Sequence, residues 1–89
     1  QDFSSAFWNC YSLKEIDFTN ITPSGMRGAF HNCESLTKII MPTPPSGPFD
    51  EDTFSGINPY GTFYYDPAQD YTEILTYLPS TWKRVPITQ

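Results

Sequence analysis

A motif that recurs after 23 residues constrains the fold of this chain more than any other feature of its sequence. A shift of 23 superimposes Ala6-Phe7 on Ala29-Phe30, Asn9-Cys10 on Asn32-Cys33, Ser12-Leu13 on Ser35-Leu36, and Ile16 on Ile39. The shared unit reads A-F-x-N-C-x-S-L-x-x-I, and a shift of 24 carries Phe30 to Phe54 and Ile39 to Phe63 as a third, degenerate copy. Such spacing is typical of architectures in which one structural unit stacks on the next.

The end of each unit predicts a β-strand. In L-x-x-I-x-Φ, where Φ is a large apolar residue, the last two apolar positions are two apart, which is the alternation of a strand with one buried face. We therefore predict strands near residues 14–18, 37–41 and 61–65. Each is too short to bury its apolar face alone, so the copies are expected to stack as a parallel β-ladder. The predicted fold class is α/β, a short solenoid over residues 1–65.

Three interior columns follow from this stacking. They are Leu13, Leu36 and Tyr60; Ile16, Ile39 and Phe63; and Phe18, Met41 and Tyr65. In the A-F-x-x-C segment the apolar residues fall at i, i+1 and i+4, which favours a single helical turn between successive strands. Such a turn would direct both the Phe and the Cys inward.

The remainder, residues 66–89, is predicted to form a C-terminal capping helix and a tail. An apolar stripe at i, i+3, i+4 and i+7 is formed by Tyr71, Ile74, Leu75 and Leu78. Either Asp66-Pro67 or Asp70-x-x-Glu73 supplies a pattern that begins helices, and Pro79 should end the helix. We expect the stripe to lie across the last repeat and Trp82 to fold over the end, because a stacked array needs its ends covered.

Composition excludes several classes of protein. The net charge is −5 with only five basic residues, which argues against nucleic acid as a partner. Nine prolines and five glycines interrupt the chain too often for a bundle of long helices. No apolar run approaches the ~20 residues that a membrane-spanning helix needs, so no transmembrane segment is expected.

Few residues are candidates for catalysis or metal binding. Cys10 and Cys33 occupy the same position of adjacent repeats, which suits parallel, buried free thiols better than a disulfide, and two sulfurs are too few ligands for a metal site. His31, the only histidine, is expected to be exposed and has no nucleophile placed beside it. In the acidic run 50–52, Asp52 is expected to cap the turn that follows. The chain is predicted to be non-enzymatic, without a metal or cofactor.

The repeated unit resembles the BspA-like leucine-rich repeats, which occur mostly in surface proteins of Bacteroides-type gut and oral bacteria. The ending is also similar, because that family often closes with a G-T-x-Y-x-x-P stretch and a helix, here residues 61–67 and 71–82. The resemblance implies a leucine-rich-repeat solenoid that belongs to a secreted or cell-surface protein. It also implies binding through the outward face of the sheet.

Two groups of residues are candidates for binding. The outward strand positions form a candidate recognition face, which consists of Glu15, Asp17, Lys38, Ile40, Thr62 and Tyr64. A second candidate patch at the turn edge consists of Trp8, Tyr11 and His31. On the parallel ladder Glu15 would neighbour Lys38, an exposed ion pair of modest strength.

The leading hypothesis is a protein-binding or adhesion module on a bacterial cell surface, with a host or bacterial protein as its partner. One alternative is a carbohydrate-binding module that uses exposed aromatic side chains as stacking platforms. Another is a purely structural end-cap of a longer repeat array. The first repeat has no cap, so its strand edge could also pair edge to edge with a second molecule.

Overall fold

The structure is a computed structural model that describes residues 3–87, and it contains a four-stranded parallel sheet and one short helix. The elements in chain order are β1 (Glu15–Asp17), β2 (Lys38–Met41), β3 (Thr62–Tyr65), α1 (Thr72–Tyr77) and β4 (Lys83–Pro86). The strands lie side by side in the order in which they occur along the chain. Within residues 3–87, no helix has the length and apolar character needed to cross a membrane.

The register of the first three strands is the one that the repeat predicts. Ile16 of β1 pairs with Ile39 of β2, and Ile39 pairs with Phe63 of β3. Met41 likewise pairs with Tyr65. The three predicted strands are confirmed to within one residue at each end, because a period of 23 or 24 residues fixes which side chains share a row.

The A-F-x-N-C segments form successive β-turns rather than the predicted single helical turns. Asn9 and Asn32 adopt left-handed backbone conformations, with φ of 59° and 61°, which a right-handed helical turn does not admit. Adjacent repeats are joined there by main-chain hydrogen bonds, such as Phe7 N–H to the carbonyl of Ala29 at 2.9 Å. The apolar spacing was compatible with both structures, and the asparagines decide between them because they tolerate positive φ.

The phenylalanines of the motif form a continuous stack through the core. Phe7 and Phe30 have ring centroids 5.5 Å apart with an interplanar angle of 3°, and Phe30 and Phe54 are 5.7 Å apart at 10°. Phe30 and Phe54 are buried, whereas Phe7 is half-buried. The predicted inward direction of this side chain is confirmed.

The predicted position of Tyr60 in an interior column is wrong. Leu36, its counterpart in the second repeat, is fully buried, but Tyr60 is 71% exposed. The ring of Trp82 packs directly against Gly61, so closely that a Cβ at Gly61 would lie 2.6 Å from it. Trp82 therefore occupies the interior beside this position, and Tyr60 points to solvent.

Three of the four apolar residues in the stripe of the last segment are buried, and Leu75 is half-buried. Tyr71, Ile74 and Leu78 are buried, and the ring of Tyr71 packs edge-on against Phe63 and Tyr65. The Tyr71 hydroxyl donates a hydrogen bond to the carbonyl of Met41 at 2.5 Å. The helix itself is shorter than the pattern suggested, begins after Tyr71 and ends before Pro79.

The fourth strand was not predicted from the sequence. β4 pairs in parallel with β3, with Lys83 opposite Thr62 and Val85 opposite Tyr64. Trp82, immediately before it, is 3% exposed and donates from Nε1 to the carbonyl of Asn58 at 2.6 Å. Pro86 is tolerated because β4 is an edge strand. The tail thus widens the sheet by one strand.

Candidate recognition surface

Alternation along the four strands places one set of side chains on the side of the sheet away from the core. Ile39, Met41 and Phe63 face inward and are fully buried. Their neighbours along the strands face outward. We call this outward set the sheet face, and its members are Glu15, Asp17, Lys38, Ile40, Thr62, Tyr64, Lys83 and Val85.

The sheet face consists of two rows that run across the strands. One row is polar and contains Glu15, Lys38, Thr62 and Lys83 in register. The other begins with Asp17 and continues through Ile40, Tyr64 and Val85. The structure therefore brings all six sequence-predicted face residues together and adds Lys83 and Val85 from β4. The sequence carries little sign of these two, because the segment 83–86 is not a copy of the repeat motif.

An open groove of about 410 Å³ lies over the apolar row. It is lined by Lys38, Ile40, Tyr64, Val85, Pro86 and Ile87. Ile40, Tyr64 and Val85 are only half-buried, so each leaves part of its side chain open to solvent. Contiguous exposed apolar side chains rimmed by polar groups are typical of interaction surfaces.

Lys38 contacts a residue on each of the neighbouring strands, Glu15 on β1 and Tyr64 on β3. Its Nζ lies 3.7 Å from Oε2 of Glu15, as the ladder predicts, and 5.6 Å from the centroid of the Tyr64 ring. Both side chains of the ion pair are substantially exposed, so the pair stabilises the fold by only ~0.2–1 kcal/mol. Its main effect is to neutralise Lys38 within the sheet face.

The carboxylate of Asp17 is also occupied by its own surroundings. Its Oδ1 accepts hydrogen bonds from the hydroxyl of Thr19 at 2.5 Å and from the Thr19 N–H at 2.8 Å. The side-chain bond from Thr19, followed by its backbone bond, lowers the pKa of Asp17 below its ordinary value. Asp17 is therefore ionised at neutral pH and bound to its own turn.

A second hollow adjoins the polar row near the start of β3 and β4. It measures about 410 Å³ and is lined by Thr37, Tyr60, Gly61, Thr62, Thr81 and Lys83. Lys83 is exposed, and within residues 3–87 no carboxylate lies within ion-pairing distance of it. This ammonium group and the hydroxyls of Thr37 and Thr62 can receive an anionic group, whereas the Thr81 hydroxyl donates to the carbonyl of Pro59.

The second candidate patch at the turn edge is less open than the sequence suggested. Trp8 and Tyr11 are 44% and 51% exposed, but His31 is half-buried beneath Trp8, with ring centroids 4.1 Å apart. The Nδ1 atom of His31 is buried 3.9 Å from Oδ1 of Asp52 and has no hydrogen-bond partner in the described part of the chain. The predicted exposure of His31 is thus wrong, because Trp8 covers it.

The acidic run 50–52, considered for metal binding, makes structural contacts instead. Asp50, not Asp52, organises the acidic loop: its Oδ1 accepts hydrogen bonds from the N–H groups of Gly28 and Asp52, each at 3.1 Å.

Cys10 and Cys33 are free, and the Cys33 thiol donates a hydrogen bond to the carbonyl of Phe7 at 2.9 Å. Burial raises the pKa of Cys33, which disfavours the nucleophilic thiolate. Across residues 3–87, no group of three or more metal-ligating side chains converges.

No protein-family model, curated protein or solved structure matches this chain.

Proposed function

We propose that this chain is a short leucine-rich-repeat solenoid of the BspA-like type and that it is a non-enzymatic module that binds a protein through its sheet face. The observation that carries the proposal is the apolar row of Ile40, Tyr64 and Val85, which is half-buried at most and lines an open groove. A sheet face without a partner usually presents polar residues to water. An apolar row flanked by charges is suited to a protein surface.

The repeat architecture supports the same proposal. Stacked units present one side chain of each strand on a shared surface, which is how repeat proteins build binding faces from short motifs. By resemblance to the BspA-like repeats, the parent protein is exported to a bacterial cell surface. Its partner is then a host or bacterial surface protein, and α1 together with Trp82 caps the last repeat.

The proposal is tested by binding of the purified chain to an array of extracellular-matrix proteins and mucosal glycans. Tyr64→Ser removes the centre of the apolar row, and Tyr11→Ser is the matched control at the turn edge. We expect protein binding that Tyr64→Ser weakens at least tenfold and Tyr11→Ser leaves within twofold, with unchanged thermal melting of both variants. Glycan binding that depends on Tyr11 and not on Tyr64 would instead support the carbohydrate-binding alternative.

A second candidate function, the structural end-cap of a longer array, is favoured by the outer side of the first repeat. The carbonyls of Ala29 and His31 accept hydrogen bonds from the preceding repeat, at 2.9 and 2.8 Å. The equivalent carbonyls of Ala6 and Trp8 accept no main-chain hydrogen bond from residues 3–87. The end-cap role predicts that the chain binds nothing in the array. It also predicts that the melting temperature rises when a further A-F-x-N-C unit is fused before the first repeat.

A further inference from the structure

The sheet face differs in chemistry between the beginning and the end of its last two strands. Near the beginning lies the polar hollow with Thr62 and Lys83, and near the end lies the apolar groove with Tyr64 and Val85. Thr62 and Tyr64 are two positions apart on β3, and Lys83 and Val85 are two positions apart on β4. Side chains at such positions point the same way and lie about 6.6 Å apart.

The sheet face carries two carboxylates, both on β1, and two ammonium groups, and at its β4 edge the unpaired charge is positive although the whole chain has a net charge of −5. Glu15 is paired with Lys38, and Asp17 is bound by Thr19. Lys83 has no ion-pair partner among the described residues. The complement of the β4 edge of this face is therefore an anion, and the single ammonium group of Lys83 there suits one carboxylate better than a polyanion such as nucleic acid.

We propose that the sheet face binds an extended peptide segment in which an Asp or Glu stands two positions from a large apolar residue. The carboxylate pairs with Lys83, and the apolar side chain enters the groove between Tyr64 and Val85. An extended peptide has the same two-residue repeat of about 6.6 Å as the strands beneath it, so both contacts form at once. This inference rests on the proposed function and specifies the partner of the same surface.

The test uses fluorescein-labelled peptides of ten residues and the purified chain, with binding followed by fluorescence anisotropy. One probe carries Glu and Leu two positions apart in a Gly-Ser-Thr background. Three matched probes place them one apart, place them three apart, or replace Glu by Lys. We expect the first probe to bind at least tenfold more tightly than the others and to weaken as salt is raised.

Variants of the protein assign the two contacts. Lys83→Glu and the milder Lys83→Gln should each weaken the first probe at least tenfold and should abolish its preference for Glu over Lys. Arg27→Glu, at an exposed turn position away from the sheet, is the matched charge control and should remain within twofold of the unmodified chain. Superimposable circular dichroism spectra and melting curves establish that all three variants are folded.

The inference and the proposed function fail in different ways. If the probes bind equally, or not at all, while the protein array still shows binding that Tyr64→Ser removes, the acidic-apolar spacing is wrong and the recognition face stands. If neither the probes nor the array bind in a manner that depends on Tyr64, the proposed function itself is overturned. A spacing preference that survives Lys83→Glu also contradicts the inference.

Discussion

The first and second repeats carry the same motif but differ in how deeply its residues are buried. In the second repeat, Phe30, Cys33, Leu36 and Ile39 are all fully buried. Their counterparts in the first repeat, Phe7, Cys10, Leu13 and Ile16, are only half-buried. The second repeat has a neighbour on both sides, whereas the first has a described neighbour on one side only. Burial in this molecule is thus conferred by the adjacent copies and not by the motif itself.

The end of the sheet beyond the third repeat is covered by additional elements of the chain. Beyond the third strand the chain supplies β4, and the ring of Trp82 covers Gly61. The first repeat leaves a row of half-buried apolar side chains at its outer side, including Phe3 and Ile21. The two ends therefore differ in the contacts that hold them, and substitutions at matched positions of the repeats should differ in cost.

The largest difference is expected at the phenylalanine stack. Phe30→Ala removes a fully buried ring that is stacked on both sides, and its expected cost is about 3–5 kcal/mol in the free energy of unfolding. Phe7→Ala loses a ring that is also stacked on both sides, by Phe3 and Phe30, but that is half open to water, and roughly half that cost is expected. Urea denaturation monitored by tryptophan fluorescence measures both.

Phe30→Leu and Phe7→Leu are the matched controls. They keep most of the apolar volume, so the two losses in the free energy of unfolding should differ less than those of the alanine variants. Equal losses for the two alanine variants would show that the first repeat is as enclosed as the second. That result would break the comparison on which the account of the two ends depends.

The cysteines should differ next most strongly. Cys33 is fully buried and burial raises its pKa, whereas Cys10 is half-buried. Alkylation by iodoacetamide at pH 8 is expected to be at least tenfold slower at Cys33, measured by mass spectrometry of the single variants Cys10→Ser and Cys33→Ser. Similar rates in the folded state would contradict the assigned burial.

The raised pKa of Cys33 also predicts the direction of a pH effect on stability. The unfolded chain releases this thiol proton at a lower pH than the folded chain does. Stability associated with the group is therefore complete below the unfolded pKa and is lost as the pH rises through the folded value. Cys33→Ala should remove this alkaline loss, and titration of the urea midpoint between pH 7 and 10 measures it.

The asparagines provide a case in which the two repeats should agree. Asn9 and Asn32 have nearly the same positive φ, and the preference of Asn over Ala for that conformation is local. We expect Asn9→Ala and Asn32→Ala to cost about 1 kcal/mol each, and Asn32→Gly to cost less. A much larger loss at Asn32 would contradict this expectation, because the hydrogen bond that the Asn32 side-chain amide donates to Oδ1 of Asn9, at 3.1 Å, is removed by either alanine variant.

The smallest effect is expected at the ion pair of the sheet face. Glu15→Gln removes the partner of Lys38, and because both side chains are largely exposed the expected loss is below about 1 kcal/mol and vanishes in high salt. Chemical denaturation at low and high ionic strength checks this. A loss that persists in molar salt would point to a packing role for Glu15 that the structure does not indicate.

The sequence was sufficient for the register of the first three strands and for the six outward residues that they contribute. Both follow from the repeat period, because Ile16, Ile39 and Phe63 recur at intervals that place them in one row. The burial of Tyr71, Ile74 and Leu78 was also predicted from their spacing, although Tyr71 and Leu78 flank the six-residue helix. These features are local or periodic, and a single sequence records them directly.

The features that were missed depend on contacts between distant segments. Trp82 was expected to fold over the end of the repeats, but nothing local indicates that it packs against Gly61 and leaves Tyr60 exposed. β4 is not a copy of the motif, and its segment becomes a strand by pairing with the open edge of β3. Lys83 and Val85 were therefore identified as members of the sheet face only from the structure. The β-turns were missed for another reason, because their apolar spacing also fits a helical turn.

The central claim is that β3 and β4 lie in parallel register and bring Tyr64 and Val85 together on one face. Nuclear Overhauser effects in the isotopically labelled chain test it most directly. The account predicts contacts between the Tyr64 ring and the Val85 methyl groups, and a slowly exchanging Lys83 amide hydrogen-bonded to the carbonyl of Gly61. Absence of these contacts, or Hα–Hα contacts that indicate antiparallel pairing of the two segments, would contradict it.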